Sequence, residues 1–271
     1  MSRAAVVGLG LLGGSVALGA RAGGYDQDAS VRERARRRGI ETADTLADAV
    51  AGADLVVTAV PTADTPALLR ELAALAPDAV LTDCASLKRP IVAAAHTLRA
   101  GARFVAGHPM AGARGHGVDA ASGEIFRGRP WAVVRTARSD DDAVAAVWGF
   151  AVSLGARPVL LDAEQHDRAM TWISHLPQAV ASALARAAGQ SGGASLRDLA
   201  GPGLLDTTRL AGQPVALALE LAEADPEALA GALDAVAAEL EGLSRALRKG
   251  DAEAVRALFE EAAAIRASLE R

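Results

Sequence analysis

Short apolar runs alternate with amphipathic stretches of helical period along roughly the first 160 residues of the chain. The run at residues 55–60 is continuous and rich in β-branched side chains, as expected of a strand buried on both faces. Similar runs predict strands at residues 3–7, 79–82, 104–106, 131–134 and 158–161, and a shorter strand ending at Tyr25 and Asp26. Helices are predicted to begin near Ser30, where Ser30 and Glu33 form a capping box, and near Thr65, Pro90 and Asp140. This alternation predicts an α/β fold with a doubly wound parallel sheet.

No strand pattern follows residue 163, where helical periods are interrupted by glycine and proline. The last part carries an apolar seam with alternating spacings of four and three: Leu229, Leu233, Val236, Leu240, Leu243 and Leu247. A similar seam follows Gly250. Such seams fit an intramolecular helical hairpin or a subunit interface, and both can hold at once. We expect a homodimer through these C-terminal helices, because a two-helix layer with little else to cover it tends to find a twofold partner.

Composition narrows the class of protein. The chain has 271 residues, 51% hydrophobic and only 3% aromatic, so its cores must be built from Ala, Leu and Val. A net charge of −5 leaves no large basic surface, which argues against nucleic acid as a partner. Cys84 is the only cysteine, no Cys/His spacing resembles a metal site, and no apolar run reaches the ~18 residues of a membrane span. We therefore expect a cytoplasmic protein with no metal ion and no membrane partner.

A glycine motif, Gly8-x-Gly10-x-x-Gly13, lies between the first predicted strand and a helix. In that context Gly8 permits a tight turn, Gly10 admits a pyrophosphate to the backbone, and Gly13 lets the helix pack on the strand. The helix N-terminus supplies N–H donors to the phosphates. We predict a Rossmann-type dinucleotide-binding domain at residues 1–161 and an all-helical domain at residues 162–271. The predicted cofactor contacts of the turn are Gly8, Gly10, Leu11, Leu12 and Gly13.

Asp26, at the end of the second predicted strand, is the candidate partner of the adenosine ribose. A carboxylate there disfavours a 2′-phosphate, which points to NAD rather than NADP. The sequence separation between Gly8 and Asp26 is slightly shorter than the roughly 20 residues usual for this pattern. Asp28 is therefore a second candidate. The next helix carries five arginines: Arg32, Arg34, Arg36, Arg37 and Arg38. They could hold a 2′-phosphate, although a charge run on a helix is more often a solvated face.

The candidate base is His108, within Gly107-His108-Pro109-Met110-Ala111-Gly112. Glycine and proline around the imidazole predict a fixed loop after the strand at residues 104–106. Ser86 follows the preceding strand, and in a parallel sheet both positions fall at the carboxyl edge. A hydroxyl at Ser86 could hydrogen-bond the imidazole, fix its tautomer and leave the other nitrogen as a base. Cys84 would need a neighbouring base to become a nucleophile and is interpreted as a small buried residue.

The helical half contributes His166, His175 and Arg209. The two histidines lie nine positions apart, on opposite faces of a straight helix, so only one is expected to face the cleft. Pro177 frees a backbone carbonyl in the turn before it, and such breaks commonly lie beside ligands. We therefore assign His175 to the site and His166 to a structural role at a helix start. Arg209 either binds a carboxylate bidentately or is an ordinary surface arginine.

With these motifs the chain resembles the prephenate and arogenate dehydrogenases of tyrosine biosynthesis. The matching segments lie in the family's order: residues 8–15, 83–88, 107–112, 126 with 130–131, 166–167, 174–177 and 206–209. The resemblance implies an NAD(P)-dependent oxidative decarboxylation, of prephenate to 4-hydroxyphenylpyruvate or of arogenate to tyrosine. It also implies that His108 takes the proton of the ring hydroxyl and that Ser86 is its hydrogen-bond partner. By the same resemblance, Arg209 and His175 bind the anionic substrate.

Two departures from the family pattern bear on the substrate. Arg114-Gly115-His116 stands where a Glu-Lys pair is common, and Gln178 stands where many members have a second histidine. We expect prephenate, with arogenate or both substrates as the alternative. Two further hypotheses are a hydroxyacid or imino-acid dehydrogenase of the same two-domain type and a non-catalytic NAD-binding sensor. A fused ACT or chorismate mutase domain is not expected.

Overall fold

The computed structural model describes residues 3–113, 115–193 and 195–269. The chain divides into two compact units, Met1–Asp167 and Arg168–Arg271. The first unit holds a seven-stranded sheet, and the described residues of the second form helices and turns. The predicted α/β fold followed by an all-helical part is therefore confirmed. Within the described ranges, no helix combines the length and apolarity needed to span a bilayer.

The strands are β1 (Ala4–Val7), β2 (Gly23–Tyr25), β3 (Leu55–Thr58), β4 (Val80–Asp83), β5 (Arg103–Pro109), β6 (Pro130–Val134) and β7 (Arg157–Leu161). Their order in the sheet is β2-β1-β3-β4-β5-β6-β7. The first five are parallel, whereas β6 is antiparallel to β5 and parallel to β7. The expectation of a wholly parallel sheet is thus wrong for β6 and β7. A parallel neighbour needs a long crossover, usually a helix. Among the described residues between β5 and β6, the only helical element is a 3₁₀ turn, Val118–Ala120.

Helices cover both faces of this sheet: α1 (Leu11–Ala20), α2 (Ala29–Arg37), α3 (Leu46–Val50), α4 (Thr65–Leu75), α5 (Arg89–Ala95) and α6 (Asp141–Ser153). α1, α2 and α6 pack on one face, and α3, α4 and α5 pack on the other. Alternate strand residues point to opposite faces, so Val6 enters the first core and Val7 the second. α7 (Ala163–Met170) follows β7 and contains the boundary between the units.

Two local predictions are wrong. α2 begins at Ala29, and its cap is Asp28, whose Oδ1 accepts from Ser30 N at 2.7 Å. His108 lies in β5 rather than in a loop, because it pairs with Ala132 of β6. Gly107 suits this strand, since a Cβ there would lie 2.6 Å from the Asp83 carbonyl oxygen.

The second unit contains α8 (Leu176–Ser191), α9 (Leu196–Leu199), α10 (Pro202–Thr207), α11 (Val215–Ala224), α12 (Pro226–Lys249) and α13 (Ala252–Ser268). A π-helical turn, Thr171–His175, precedes α8, and a 3₁₀ turn, Arg209–Gly212, follows α10. α12 and α13 form the predicted hairpin, which turns at Gly250 with a left-handed φ of +66°. Part of the apolar seam stays uncovered in the single chain, since Leu240 and Leu247 are each 61% exposed.

Candidate active site

The glycine motif forms a tight turn between β1 and α1. Gly8 has a φ of +90°, and its N–H donates to the Tyr25 carbonyl at 2.8 Å. A Cβ at Gly8 would lie 2.6 Å from the Ala59 carbonyl oxygen, and one at Gly13 would lie 1.7 Å from the Gly8 carbonyl oxygen. Both positions therefore require glycine, the first for the turn and the second for the packing of α1 on β1.

Gly10 is the N-cap residue of α1 and faces open space, because a Cβ there would meet no described atom within 4 Å. Within the described chain, no side chain caps α1 and its first turn has no acidic residue. The N–H groups of Leu11, Leu12 and Gly13 have no acceptor within the helix, and the helix dipole adds positive potential. These features fit the pyrophosphate of a dinucleotide, which needs close backbone approach and N–H donors.

Asp26 follows β2 and binds the glycine turn. Its Oδ2 accepts from Leu9 N at 2.8 Å, and its Oδ1 accepts from Asp28 N at 3.0 Å. Arg32 Nη1 donates to the Asp26 carbonyl at 2.7 Å, and the Arg32 guanidinium lies 5.5 Å from the Tyr25 ring centroid. The structure therefore brings Asp26 to the turn, whereas Asp28 caps α2.

Other arginines of the run on α2 also bind neighbouring protein groups. Arg38 donates to the carbonyl oxygens of Asp119 and Ala121, both at 2.5 Å. Arg36 pairs with Asp44 at 2.8 Å, where both side chains are exposed. These contacts support the interpretation of the run as a solvated helix face with structural bonds.

A buried ion pair between Asp83 and Lys88 ties the end of β4 to β5. Lys88 Nζ donates to Asp83 Oδ2 and, at 2.6 Å, to the Gly107 carbonyl. Asp83 also accepts from Gly107 N and Ala85 N, each at 2.9 Å. Both charged side chains are 0% exposed. Because the N–H and the carbonyl of Gly107 are both bound, this pair fixes the backbone immediately before His108.

His108 lies half-buried near the end of β5, and its ring contacts His166 of α7. Nδ1 of His108 lies 2.9 Å from Nε2 of His166, and the ring centroids are 5.1 Å apart. The placement of His166 away from the candidate base is therefore wrong. The adjacency of His166 and Asp167 is the one local signal for this contact. It is a weak signal, because adjacent residues of a helix do not usually face each other.

Asp167 joins His166 to the start of α5. Its Oδ1 lies 2.7 Å from His166 Nδ1 and accepts from Lys88 N at 2.9 Å. Its Oδ2 accepts from Arg89 N at 2.8 Å and from Arg89 Nε at 3.2 Å. Burial raises the pKa of Asp167, but the hydrogen bonds from His166, Lys88 N and Arg89 N outweigh burial and lower the pKa to about 2. Asp167 is therefore an ionised acceptor at neutral pH.

Ser86 and Cys84 lie between β4 and α5. Ser86 is half-buried, and its hydrogen bond to His108 stays a prediction. Burial, with a smaller effect of the Asp83 carboxylate, raises the pKa of the Cys84 thiol. A buried, protonated thiol is a poor nucleophile, which supports the interpretation of Cys84 as a small buried residue. Among the residues that the structure describes, no cluster of three or more His, Cys, Asp or Glu side chains is suited to a metal ion.

In the second unit, His175 ends the π-helical turn and is buried, while Arg209 begins the 3₁₀ turn and is exposed. Pro177 follows the π-helical turn and has no N–H to donate to it, which suits the local break in helical bonding. Gln178 Nε2 donates to the Leu210 carbonyl at 2.9 Å, which ties α8 to the turn that carries Arg209. The substrate contacts of His175 and Arg209 stay predictions, and Arg114 lies outside the described residues.

Two family models together match most of the chain. Residues 18–160 match the nucleotide-binding domain of prephenate dehydrogenase. Residues 162–261 match the dimerization domain of prephenate dehydrogenase.

Individual relatives carry different substrate names. Cyclohexadienyl dehydrogenase of Zymomonas mobilis is 30% identical over 98% of this chain and 95% of its own length. Prephenate dehydrogenase of Lactococcus lactis is 29% identical over 100% of this chain and 78% of its own length. The crystal structure of Synechocystis arogenate dehydrogenase has a TM-score of 0.83 and 29% identity, over 98% of this chain and 99% of that one. The exact substrate therefore does not follow from similarity.

Proposed function

Because the chain belongs to the prephenate dehydrogenase family of oxidoreductases, we propose that it uses NAD to convert prephenate to 4-hydroxyphenylpyruvate and CO₂. The observation that carries this proposal is the half-buried ring of His108, which contacts His166 through Nδ1. His108 stands near the carboxyl end of β5, and Gly8 follows the carboxyl end of the parallel strand β1. In a doubly wound sheet, that edge is where cofactor and substrate meet.

The chemistry needs one base. Prephenate carries a hydroxyl and a hydrogen on one ring carbon and a carboxylate on the opposite ring carbon. His108 Nε2 takes the hydroxyl proton while that hydrogen leaves its carbon with the bonding electrons. NAD, when bound, supplies the nicotinamide ring that accepts this hydride. Loss of CO₂ from the opposite carbon returns an electron pair to the ring, which becomes aromatic, and His108 gives its proton back to the phenol oxygen.

Further roles are assigned by residue type. We assign Ser86 as the hydrogen-bond partner of His108 on the Nε2 side, since Nδ1 bonds His166. We assign Arg209 as the contact of the substrate carboxylate and His175 as a further substrate contact. A guanidinium binds a carboxylate with two parallel hydrogen bonds, so it can hold the anionic ring while CO₂ leaves. The exposure of Arg209 and the anchoring of its turn by Gln178 support that assignment.

We propose NAD rather than NADP as the cofactor. The Asp26 carboxylate at the glycine turn would repel a 2′-phosphate and accept from a ribose hydroxyl. Arg32, the nearest arginine of the run, is already engaged by the Asp26 carbonyl and lies over Tyr25.

We also propose a homodimer through α12 and α13. The matched dimerization domain includes α12 and most of α13. Several large apolar side chains of these helices are exposed in the single chain: Leu240, Leu247, Phe259, Ile265 and Leu269. A second copy with the same seam would cover them.

Valine at Gly10 is expected to weaken dinucleotide binding and leave the fold intact. The position faces open space, and its φ of −70° lies outside the left-handed region, so glycine is not required there by φ. The added side chain would occupy the space that a pyrophosphate needs, so the Kd for NAD by calorimetry should rise about tenfold or more. Gly149→Val, in α6 with equally open surroundings, is the control and should bind NAD normally. Unchanged affinity in Gly10→Val would contradict the assigned cofactor turn.

Initial rates with prephenate and arogenate, each with NAD and with NADP, test the proposed function. We expect prephenate with NAD to give the highest rate of reduced-cofactor formation. A higher rate with arogenate would reassign the substrate. NAD binding without turnover of either substrate would instead support a sensor.

A further inference from the structure

Three side chains of the first unit form a connected series that ends on the candidate base. Asp167 Oδ1 lies 2.7 Å from His166 Nδ1, and His166 Nε2 lies 2.9 Å from His108 Nδ1. His166, the middle ring, is 0% exposed, and Asp167 is 6% exposed. His108 is half-buried, so a substrate can reach it.

The order of donors and acceptors follows from the carboxylate. Ionised Asp167 has no proton to donate, so His166 Nδ1 must carry the hydrogen between these two groups. A neutral His166 ring then has only a lone pair at Nε2. His108 bonds that lone pair by carrying its own hydrogen on Nδ1. The other ring nitrogen of His108, Nε2, is therefore unprotonated.

We propose that His166 and Asp167 are positioning residues that hold His108 in the Nδ1–H tautomer and so present Nε2 as the base. This inference rests on the proposed function in one respect, namely that the proton accepted by Nε2 comes from the substrate hydroxyl. That proton moves from the substrate hydroxyl to Nε2, while the Nδ1 hydrogen stays in its bond to His166. The positive charge that develops on His108 then faces the His166 lone pair and, beyond it, the Asp167 carboxylate.

The same carboxylate fixes the elements around the base. Asp167 accepts from Lys88 N and from both Arg89 N and Arg89 Nε, which holds the start of α5. Lys88 Nζ in turn binds the Gly107 carbonyl, next to His108 in β5. One connected set of mostly buried bonds therefore orients both the ring and the backbone of His108, which is the preorganisation that a general base needs.

Two substitutions at His166 separate this positioning role from a purely structural one. In His166→Gln, the side-chain carbonyl takes the place of Nε2 and can still accept from His108 Nδ1. In His166→Asn, the shorter amide takes the place of Nδ1 and can still bond Asp167, but it does not reach His108. A positioning role predicts the higher activity in the Gln variant, whereas a role limited to the Asp167 bond predicts it in the Asn variant.

We expect kcat with prephenate and NAD to fall about 100-fold or more in His166→Asn and about tenfold or less in His166→Gln. KM should change by less than about threefold in both variants, because neither residue is assigned a substrate contact. Melting temperatures verify that both variants are folded. Equal losses of kcat in the two folded variants, or normal kcat in His166→Asn, would overturn the proposal.

A second measurement needs neither turnover nor a substitution at His166. Long-range ¹H–¹⁵N NMR spectra of protein labelled with ¹⁵N-histidine show which ring nitrogen carries hydrogen, and the chain has only 5 histidines. We expect His108, identified by the signals lost in His108→Asn, to be protonated at Nδ1 and unprotonated at Nε2 near neutral pH. Protonation at Nε2 instead would overturn the proposal whatever the substrate is. The expected tautomer in a protein that turns over neither substrate would count against the proposed function alone.

Discussion

His108→Asn is expected to lower kcat by about 10³-fold or more and to leave the affinity for NAD unchanged. The amide of asparagine is not basic at neutral pH, so the ring hydroxyl of the substrate keeps its proton. Hydride transfer from the same carbon then has a much higher barrier. The glycine turn between β1 and α1 is built without His108, which is why cofactor binding should survive. Stopped-flow or steady-state measurement of reduced-NAD formation gives kcat, and calorimetry with NAD gives the affinity.

His96→Asn is the matched control for this change. His96 is exposed at the end of α5 and is not among the residues assigned to the site, so its replacement should leave kcat unaltered. A His108→Asn variant that keeps kcat within about tenfold of the natural protein would show that His108 is not the base.

Lys88→Met is expected to destabilise the first unit by about 3–5 kcal/mol, because it leaves the Asp83 carboxylate buried without its counter-ion. The methionine fills a similar volume but gives no donor to Asp83 or to the Gly107 carbonyl. Urea unfolding followed by circular dichroism measures the free energy. We also expect reduced kcat in the folded fraction, since Gly107 precedes His108.

An exposed pair gives the matched control for Lys88. Arg103 binds Asp140 with two hydrogen bonds, but its side chain is 33% exposed and that of Asp140 is 53% exposed. Arg103→Met should therefore change the free energy of unfolding by about 1 kcal/mol or less. Adding Asp83→Asn to Lys88→Met should recover part of the loss, because it removes the buried charge. Equal losses in Lys88→Met and Arg103→Met would contradict the importance of burial.

The architecture is predictable because short stretches of sequence determine it. A continuous apolar run such as that of β3 fits a strand covered on both faces, and Gly8 and Gly13 stand where a strand turns tightly into a helix. The direction of β6 is not encoded in the same way. The apolar run of β6 would look the same for a parallel and for an antiparallel strand. The connection from β5 decides the direction, and its described residues contain no crossover helix.

The surroundings of the base depend on contacts between distant parts of the chain. Gly107 and Pro109 favour a turn locally, but pairing with β6 keeps His108 in a strand. Asp167 reaches Lys88 across a separation of 79 residues, and no periodicity reports such a contact. The contact of His166 with His108 is not predictable for the same reason, because it depends on which strand end α7 meets.

Oxidative decarboxylation requires hydride transfer and loss of CO₂ once each in every turnover. The most direct test is therefore to measure CO₂ and reduced NAD in the same reaction of the purified protein with prephenate. We expect one CO₂ and one reduced NAD for each prephenate consumed, with 4-hydroxyphenylpyruvate as the product. Reduced NAD without CO₂, or NAD binding with neither product, would contradict the proposed function.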